Sequence, residues 1–142
     1  MSYEDIVADF EFLDDWEDRY RYVIELGRGL EPLPEEAHNE HNKVHGCVSQ
    51  VWLETRIENP DSDDPVLHFK GDSDAHIVSG LIAIMLKLFS GKRASEILAI
   101  DAMAALRKLG LDENLTPQRS NGLASMIQRL KSDARKALDH TG

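Results

Sequence analysis

The feature that most constrains the fold is a strongly apolar segment in the middle of the chain. Its apolar residues occupy most of the circumference of a helix, and such a helix must be buried among other elements. They are Ile77, Val78, Leu81, Ile82, Ile84, Met85, Leu86, Leu88 and Phe89. We therefore expect a central helix over residues 75–90, with Asp74 as its cap and Gly91 ending it. The segment is too short and too interrupted to span a bilayer.

Two amphipathic helices are predicted before this segment. Ser2 and Asp5 have the spacing of a capping box, and apolar residues then follow at helical spacing, namely Ile6, Phe10 and Leu13. Asp14 and Asp15 can cap a second helix, whose apolar side carries Trp16, Tyr20, Val23 and Ile24. Gly27 is expected to terminate it.

A β-hairpin is predicted next. Pro32 and Pro34 begin a polar, irregular stretch, after which residues 48–58 alternate β-branched or aromatic residues with polar ones. Residues 59–65 have the composition of a turn, and residues 66–70 indicate a returning strand. The two strands should pair antiparallel.

The remainder of the chain is helical by its pattern. Short helices are expected over residues 94–100 and 102–109, and Thr116 with Pro117 can cap and begin a last, long helix. Its apolar stripe is formed by Leu123, Met126, Ile127, Leu130 and Leu138. The few strands are adjacent in sequence and do not alternate with helices, so the order predicts an α+β fold. A small antiparallel sheet should pack against helices within one domain over residues 1–142.

The net charge and the cysteine content of the sequence indicate which partners and which kinds of chemistry are compatible with this chain. Twenty-six acidic residues against 16 basic ones give a net charge of -10, which disfavours nucleic acid and anionic lipid as partners. The first residues show neither a basic leader nor an apolar signal segment, so a cytoplasmic location is expected. The single cysteine, Cys47, cannot form an internal disulfide.

Cys47 lies in the stretch NKVHGCVSQVWL, residues 42–53, where the loop gives way to the predicted strand. Gly46 frees the backbone just before the sulfur, so a turn can present the thiol. An ordinary thiol is only about 3% thiolate at pH 7, and a working nucleophile gains from nearby cations such as Lys43 or His45. From these residues alone, a nucleophile and a small buried hydrophobe both remain open.

Two other groups of residues have alternative interpretations. His38, His41, His45 and Cys47 supply four zinc-ligand types in the order His-x2-His-x3-His-x-Cys, which makes a small zinc protein an alternative, although the spacing is irregular. Asp72 and Asp74 suit either acid–base chemistry or, more simply, capping of the central helix.

Three segments together resemble the SufE family of sulfur-acceptor proteins. They are residues 42–53, the GDSD of residues 71–74, and the LTPQRSNGL of residues 115–123, in the order expected for that family. The likeness extends over essentially the whole chain. His45 stands where the family often has proline, and Val48 where it often has glutamine, but the cysteine itself is retained.

The resemblance implies a specific function. A partner cysteine desulfurase would form a persulfide from free cysteine, and Cys47 would accept its sulfur, stimulate the desulfurase and deliver the sulfur to an iron–sulfur scaffold complex. Pyridoxal phosphate would belong to the desulfurase, so this chain would need no cofactor or metal and would be an accessory protein rather than an independent enzyme. It would be a monomer or a homodimer. A module that only regulates its partner, without covalent chemistry at Cys47, is the further alternative.

Arg119 is a second candidate site residue. A cation in the first turn of a helix opposes the helix dipole, so capping does not explain it. The resemblance places this segment near the cysteine loop, where a guanidinium could stabilise a thiolate or persulfide; a solvated surface arginine is the alternative. The neighbours Val44, Val48, Val51 and Trp52 further predict that the thiol rests partly under apolar cover.

Overall fold

The structure, a computed structural model, describes residues 2–47 and 49–139. Its helices and strands are, in chain order, α1 Tyr3–Glu11, α2 Trp16–Arg28, β1 Val51–Glu58, β2 Val66–Ser73, α3 His76–Phe89, β3 Lys92–Arg93, α4 Ala94–Ala99, α5 Ala102–Lys108 and α6 Pro117–Asp139, with a 3-10 turn at Glu35–Ala37. A three-stranded antiparallel sheet lies against helices, which confirms the predicted α+β class.

The sheet is a hairpin with a short third strand. β1 and β2 pair from Val51 with Ser73 to Glu58 with Val66, and β3 adds to the other edge of β2. β3 was not predicted, because two residues are too few to show a periodicity. β1 begins at Val51, later than expected; Ser49 and Gln50 precede it, and Val48 lies outside the described residues.

The central helix is buried as its composition requires. Ten residues of α3 are buried, and the helix packs on the sheet and on α2. The contact with α2 corrects the expectation for Gly27, which lies inside α2; Gly29 is the capping residue at its end. A Cβ on Gly80 would lie 2.0 Å from the Val23 carbonyl oxygen, so the two backbones meet too closely for any side chain there.

Several predicted helix signals are present in the structure. Ser2 and Asp5 form a reciprocal capping box, and Asp15 caps α2 through the backbone N–H of Glu17. Thr116 Oγ1 accepts a hydrogen bond from the N–H of Arg119 at 3.3 Å, so the last helix begins as expected. Its buried stripe is Gly122, Leu123, Met126, Leu130, Ala134 and Ala137. None of the helices among the described residues has the length and apolar character needed to cross a membrane.

Candidate functional site

Cys47 lies in a loop that is closed at its base by backbone hydrogen bonds. The Val44 N–H donates to the Val51 carbonyl at 2.8 Å, and the Leu53 N–H donates to the Asn42 carbonyl at 2.8 Å. These bonds add the segment before the cysteine to the outer edge of β1. The loop therefore leaves the sheet and returns to it within a few residues.

Gly46 turns this loop onto α6. Its φ is 92°, in the left-handed region that favours glycine, and a Cβ there would lie 2.6 Å from Ser125 Oγ. The backbone conformation thus favours glycine immediately before the cysteine, as the sequence indicated, and a Cβ there would also require the Ser125 hydroxyl to move.

Asp74 fastens the other end of the loop and does not cap α3. Its Oδ1 accepts a hydrogen bond from the Gln50 N–H at 3.0 Å, while its own N–H donates to the Gln50 carbonyl at 3.4 Å. The N-cap of α3 is Ala75, which makes no side-chain capping bond. The predicted capping role is therefore wrong, because the carboxylate is engaged by the loop.

The Cys47 thiol is partly buried against α6. Its Sγ donates to the Gly122 carbonyl at 3.6 Å. Beside the sulfur is a cavity of about 30 Å³, lined by Cys47, Ser49, Val78, Leu81, Gln118, Arg119, Gly122 and Met126. The predicted partial cover is confirmed, but the apolar lining comes from α3 and α6 rather than from Val44, Val51 or Trp52. Val48 lies outside the described residues.

Burial raises the pKa of the Cys47 thiol. In an apolar environment the charged thiolate is disfavoured, and no charged group among residues 2–47 and 49–139 offsets this effect of burial. His45, one of the cations expected to help, is exposed and lies with its Nε2 3.2 Å from Glu40 Oε2. The resting thiol is therefore protonated at neutral pH.

Arg119 and Cys47 line the same cavity. The Arg119 guanidinium donates from Nη1 to the Tyr20 hydroxyl at 2.6 Å, and its carbon lies 6.0 Å from the centre of the Tyr20 ring. The structure thus brings together the two predicted site residues, and it shows the cation bound to a phenol of α2.

The four candidate zinc ligands have separate partners or face solvent. His38 Nε2 lies 2.7 Å from Asp72 Oδ2, and its ring packs edge-to-face on Trp52. His41 is exposed. Over residues 2–47 and 49–139, no three His, Cys, Asp or Glu side chains are grouped so as to hold a metal ion.

Asp72 and Asp74 do not act as a carboxylate pair. Asp72 pairs with the His38 ring through Oδ2 and accepts from the Ser73 N–H through Oδ1, whereas Asp74 binds Gln50. The bond to Asp72 raises the pKa of His38. Each aspartate therefore fixes a different segment, and the capping role expected for them is not observed.

Arg129 fixes the segment before the cysteine to α6, a role that the sequence did not indicate. Its Nη2 donates to the His41 carbonyl at 2.9 Å, and its Nη1 to the Lys43 carbonyl at 3.5 Å. Its Nε lies 3.3 Å from Asp133 Oδ2, which also accepts from the Thr55 hydroxyl at 2.6 Å. Arg129 and Asp133 together therefore join the loop, the strand β1 and the helix α6.

Comparisons with known proteins agree with these features. The model of the SufE family, described as an Fe–S metabolism associated domain, matches residues 4–134. An uncharacterized SufE-like protein of Rhizobium meliloti is 59% identical over 133 residues, covering 94% of each chain. Another, of Rhizobium etli, is 58% identical over 134 residues, covering 94% of this chain and 90% of its own.

A solved structure supports the fold independently. The solution structure of a hypothetical protein from Thermus thermophilus matches with a TM-score of 0.74, covering 98% of this chain and 99% of its own, at 22% identity. At that identity the likeness concerns the fold alone. The family model and the two close relatives go further, because they match nearly the whole chain: this protein belongs to the SufE family, which is associated with iron–sulfur metabolism.

Proposed function

We propose that this protein is a sulfur carrier whose Cys47 accepts persulfide sulfur from a cysteine desulfurase. It stimulates the desulfurase by removing its product and delivers the sulfur to an iron–sulfur scaffold complex in the cytoplasm. It works without a cofactor of its own, as a monomer or homodimer.

The space beside the sulfur is the observation that carries the proposal. The thiol contacts the Gly122 backbone, and the adjoining cavity has a volume of about 30 Å³. A single water needs roughly 10–15 Å³ of such volume, so this cavity has room for one further atom the size of sulfur. Shielding by Val78, Leu81 and Met126 would protect a persulfide from oxidants and reductants.

The transfer is a thiol exchange that balances without an external oxidant. The Cys47 thiolate attacks the outer sulfur of the desulfurase persulfide, a new S–S bond forms on Cys47, and the bond within the enzyme persulfide breaks. The departing enzyme thiolate keeps the electron pair and takes up the proton that Cys47 lost. Because Cys47 is the one cysteine of the sequence, no second thiol of the same chain can discharge the persulfide.

The resting thiol must change its surroundings before it reacts. Its pKa is raised by burial, whereas attack requires the thiolate and access to the partner's sulfur. We propose that docking opens the loop, a local change of a kind common in regulatory complexes. Arg119, at the same cavity, is proposed to stabilise the anionic sulfur.

The test is sulfur loading followed by mass spectrometry of the intact chain. After incubation with the desulfurase, pyridoxal phosphate and free cysteine, the wild-type protein is expected to gain one sulfur atom, and dithiothreitol should remove it. Cys47→Ser should fold, since oxygen for sulfur hardly changes the volume, but should gain no mass and give no stimulation. Equal stimulation by Cys47→Ser would reject the carrier function in favour of a non-covalent regulatory module.

A further inference from the structure

The Arg119 side chain is held by a residue outside the cavity. Tyr20 belongs to α2 and is not among the lining residues, yet its hydroxyl accepts the 2.6 Å hydrogen bond from Arg119 Nη1. The two residues are 99 positions apart in sequence. The contact therefore joins the second helix to the first turn of the last one, next to Cys47.

Arg119 is also the one charged side chain among the residues that line the cavity. The residues contributed by α3 are Val78 and Leu81, and the remaining lining residues besides the cysteine are Ser49, Gln118, Gly122 and Met126. None of these can balance the charge of an anionic sulfur. The position of the Arg119 guanidinium thus decides whether the cavity wall offers a counter-charge.

We propose that Tyr20 is a positioning residue for the sulfur site: its hydroxyl holds the Arg119 guanidinium at the rim of the cavity and yields it to Cys47 when the sulfur becomes anionic. Its use in sulfur transfer rests on the proposed carrier function. The arrangement itself rests only on the hydrogen bond between Tyr20 and Arg119 and on the cavity that Arg119 and Cys47 both line.

The physical reason is a competition between two acceptors for one cation. A charged donor bound to a neutral phenol gains less than the same donor bound to an anion in an apolar cavity. The guanidinium therefore moves to the thiolate once it forms, but the bond to Tyr20 must first be broken. Without the phenol hydroxyl, Arg119 has no hydrogen bond to Tyr20 to break before it reaches the thiolate. The pKa of the Cys47 thiol should therefore fall.

The test is the pH dependence of Cys47 alkylation by iodoacetamide in the free protein. Tyr20→Phe retains the ring and removes the hydroxyl, and its alkylation midpoint should lie about half to one pH unit below that of the wild type. Below the midpoint this corresponds to a thiolate fraction roughly 3- to 10-fold larger. Circular dichroism should be unchanged.

Two further variants separate positioning from general loosening. In Arg119→Gln the Tyr20→Phe substitution should no longer move the midpoint, because the cation is gone. Tyr3→Phe removes a hydroxyl that donates to the Ala105 carbonyl at 2.7 Å, away from the cavity, and should leave the midpoint at the wild-type value. An unmoved midpoint in Tyr20→Phe, or an equal shift in the Arg119→Gln background, would overturn the proposal.

The experiment involves no desulfurase, so its outcome is independent of the carrier function. A shifted midpoint together with full stimulation by Cys47→Ser would retain the role of Tyr20 and reject sulfur transfer. An unshifted midpoint together with normal sulfur loading would reject the role of Tyr20 and retain the carrier function.

Discussion

Gly122 sets the space beside the Cys47 sulfur. A Cβ on Gly122 would lie 3.4 Å from Cys47 Sγ and 3.7 Å from its Cβ, which are ordinary van der Waals distances. An alanine is therefore compatible with the unloaded thiol. It would, however, occupy part of the 30 Å³ cavity that Gly122 lines with the cysteine.

For Gly122→Ala we expect sulfur loading to fall without a loss of stability. Alanine inside a helix is favoured over glycine by up to about 1 kcal/mol, so the free energy of unfolding should stay level or rise. Persulfide yield should fall several-fold, because the added methyl group takes the place of the second sulfur. Denaturant unfolding and intact mass after loading measure the two effects.

The matched control for this substitution is Gly29→Ala. Gly29 is exposed at the end of α2, and the nearest atom to a Cβ there is the Leu26 carbonyl oxygen at 3.4 Å. The Gly29→Ala variant should load sulfur as the wild type does. Normal loading of Gly122→Ala would show that the cavity does not receive the transferred sulfur.

The sequence identified some of the site residues and missed others for a physical reason. Gly46 was recognisable because its role depends on the local backbone, whereas Cys47 and Arg119 were singled out by the resemblance to the SufE family. Gly122 and Tyr20 act through contacts with residues 75 and 99 positions away, and local periodicity carries no information on such pairs. A glycine inside an apolar helical stripe was the one available signal for Gly122.

At the scale of elements, prediction succeeded where capping and periodicity agree. The N-termini of α1 and α2 and the start of α6 follow from side chains adjacent in sequence. Gly27 and Asp74 were misassigned because each has the local signature of a helix end. Their actual partners are α3 and the cysteine loop, which only the tertiary structure brings to them.

The bond between His38 and Asp72 attaches the polar segment before the cysteine loop to the end of β2. Because that bond raises the pKa of His38 in the folded chain, its stabilising effect is complete below the unfolded-state pKa of about 6.5. It is lost as the pH rises through the folded-state pKa. The stability loss in His38→Gln should therefore be larger near pH 6 than near about pH 8.5.

Urea unfolding at the two pH values measures this difference, and His41→Gln serves as the control. The His41 side chain is exposed, so its replacement should change the unfolding free energy little at either pH. If His38→Gln lost the same stability at both pH values, the ion pair with Asp72 would not be what attaches the segment.

At the scale of the whole molecule, the cysteine loop is held from several directions by elements distant in sequence. Arg129 and Asp133 of α6 join the loop carbonyls to Thr55 of β1, and their side chains are only 21% and 14% exposed. A bond network of this kind contributes more than a surface ion pair, because its members are partly removed from water. The proposed opening of the loop would therefore have to overcome these contacts without disrupting the core around α3.

Arg129→Met tests whether this network controls access to the cysteine. Methionine keeps much of the apolar stem but leaves the His41 and Lys43 carbonyls without their donor, so unfolding free energy should fall by about 1–3 kcal/mol. Local opening should become easier, and Cys47 alkylation at fixed pH should accelerate several-fold while circular dichroism is unchanged.

In the control Arg21→Met, the lost pairs with Glu17 and Asp18 are exposed. Stability should therefore change by no more than about 0.5 kcal/mol, and the alkylation rate should not change. Wild-type alkylation in Arg129→Met would mean that the loop opens independently of α6.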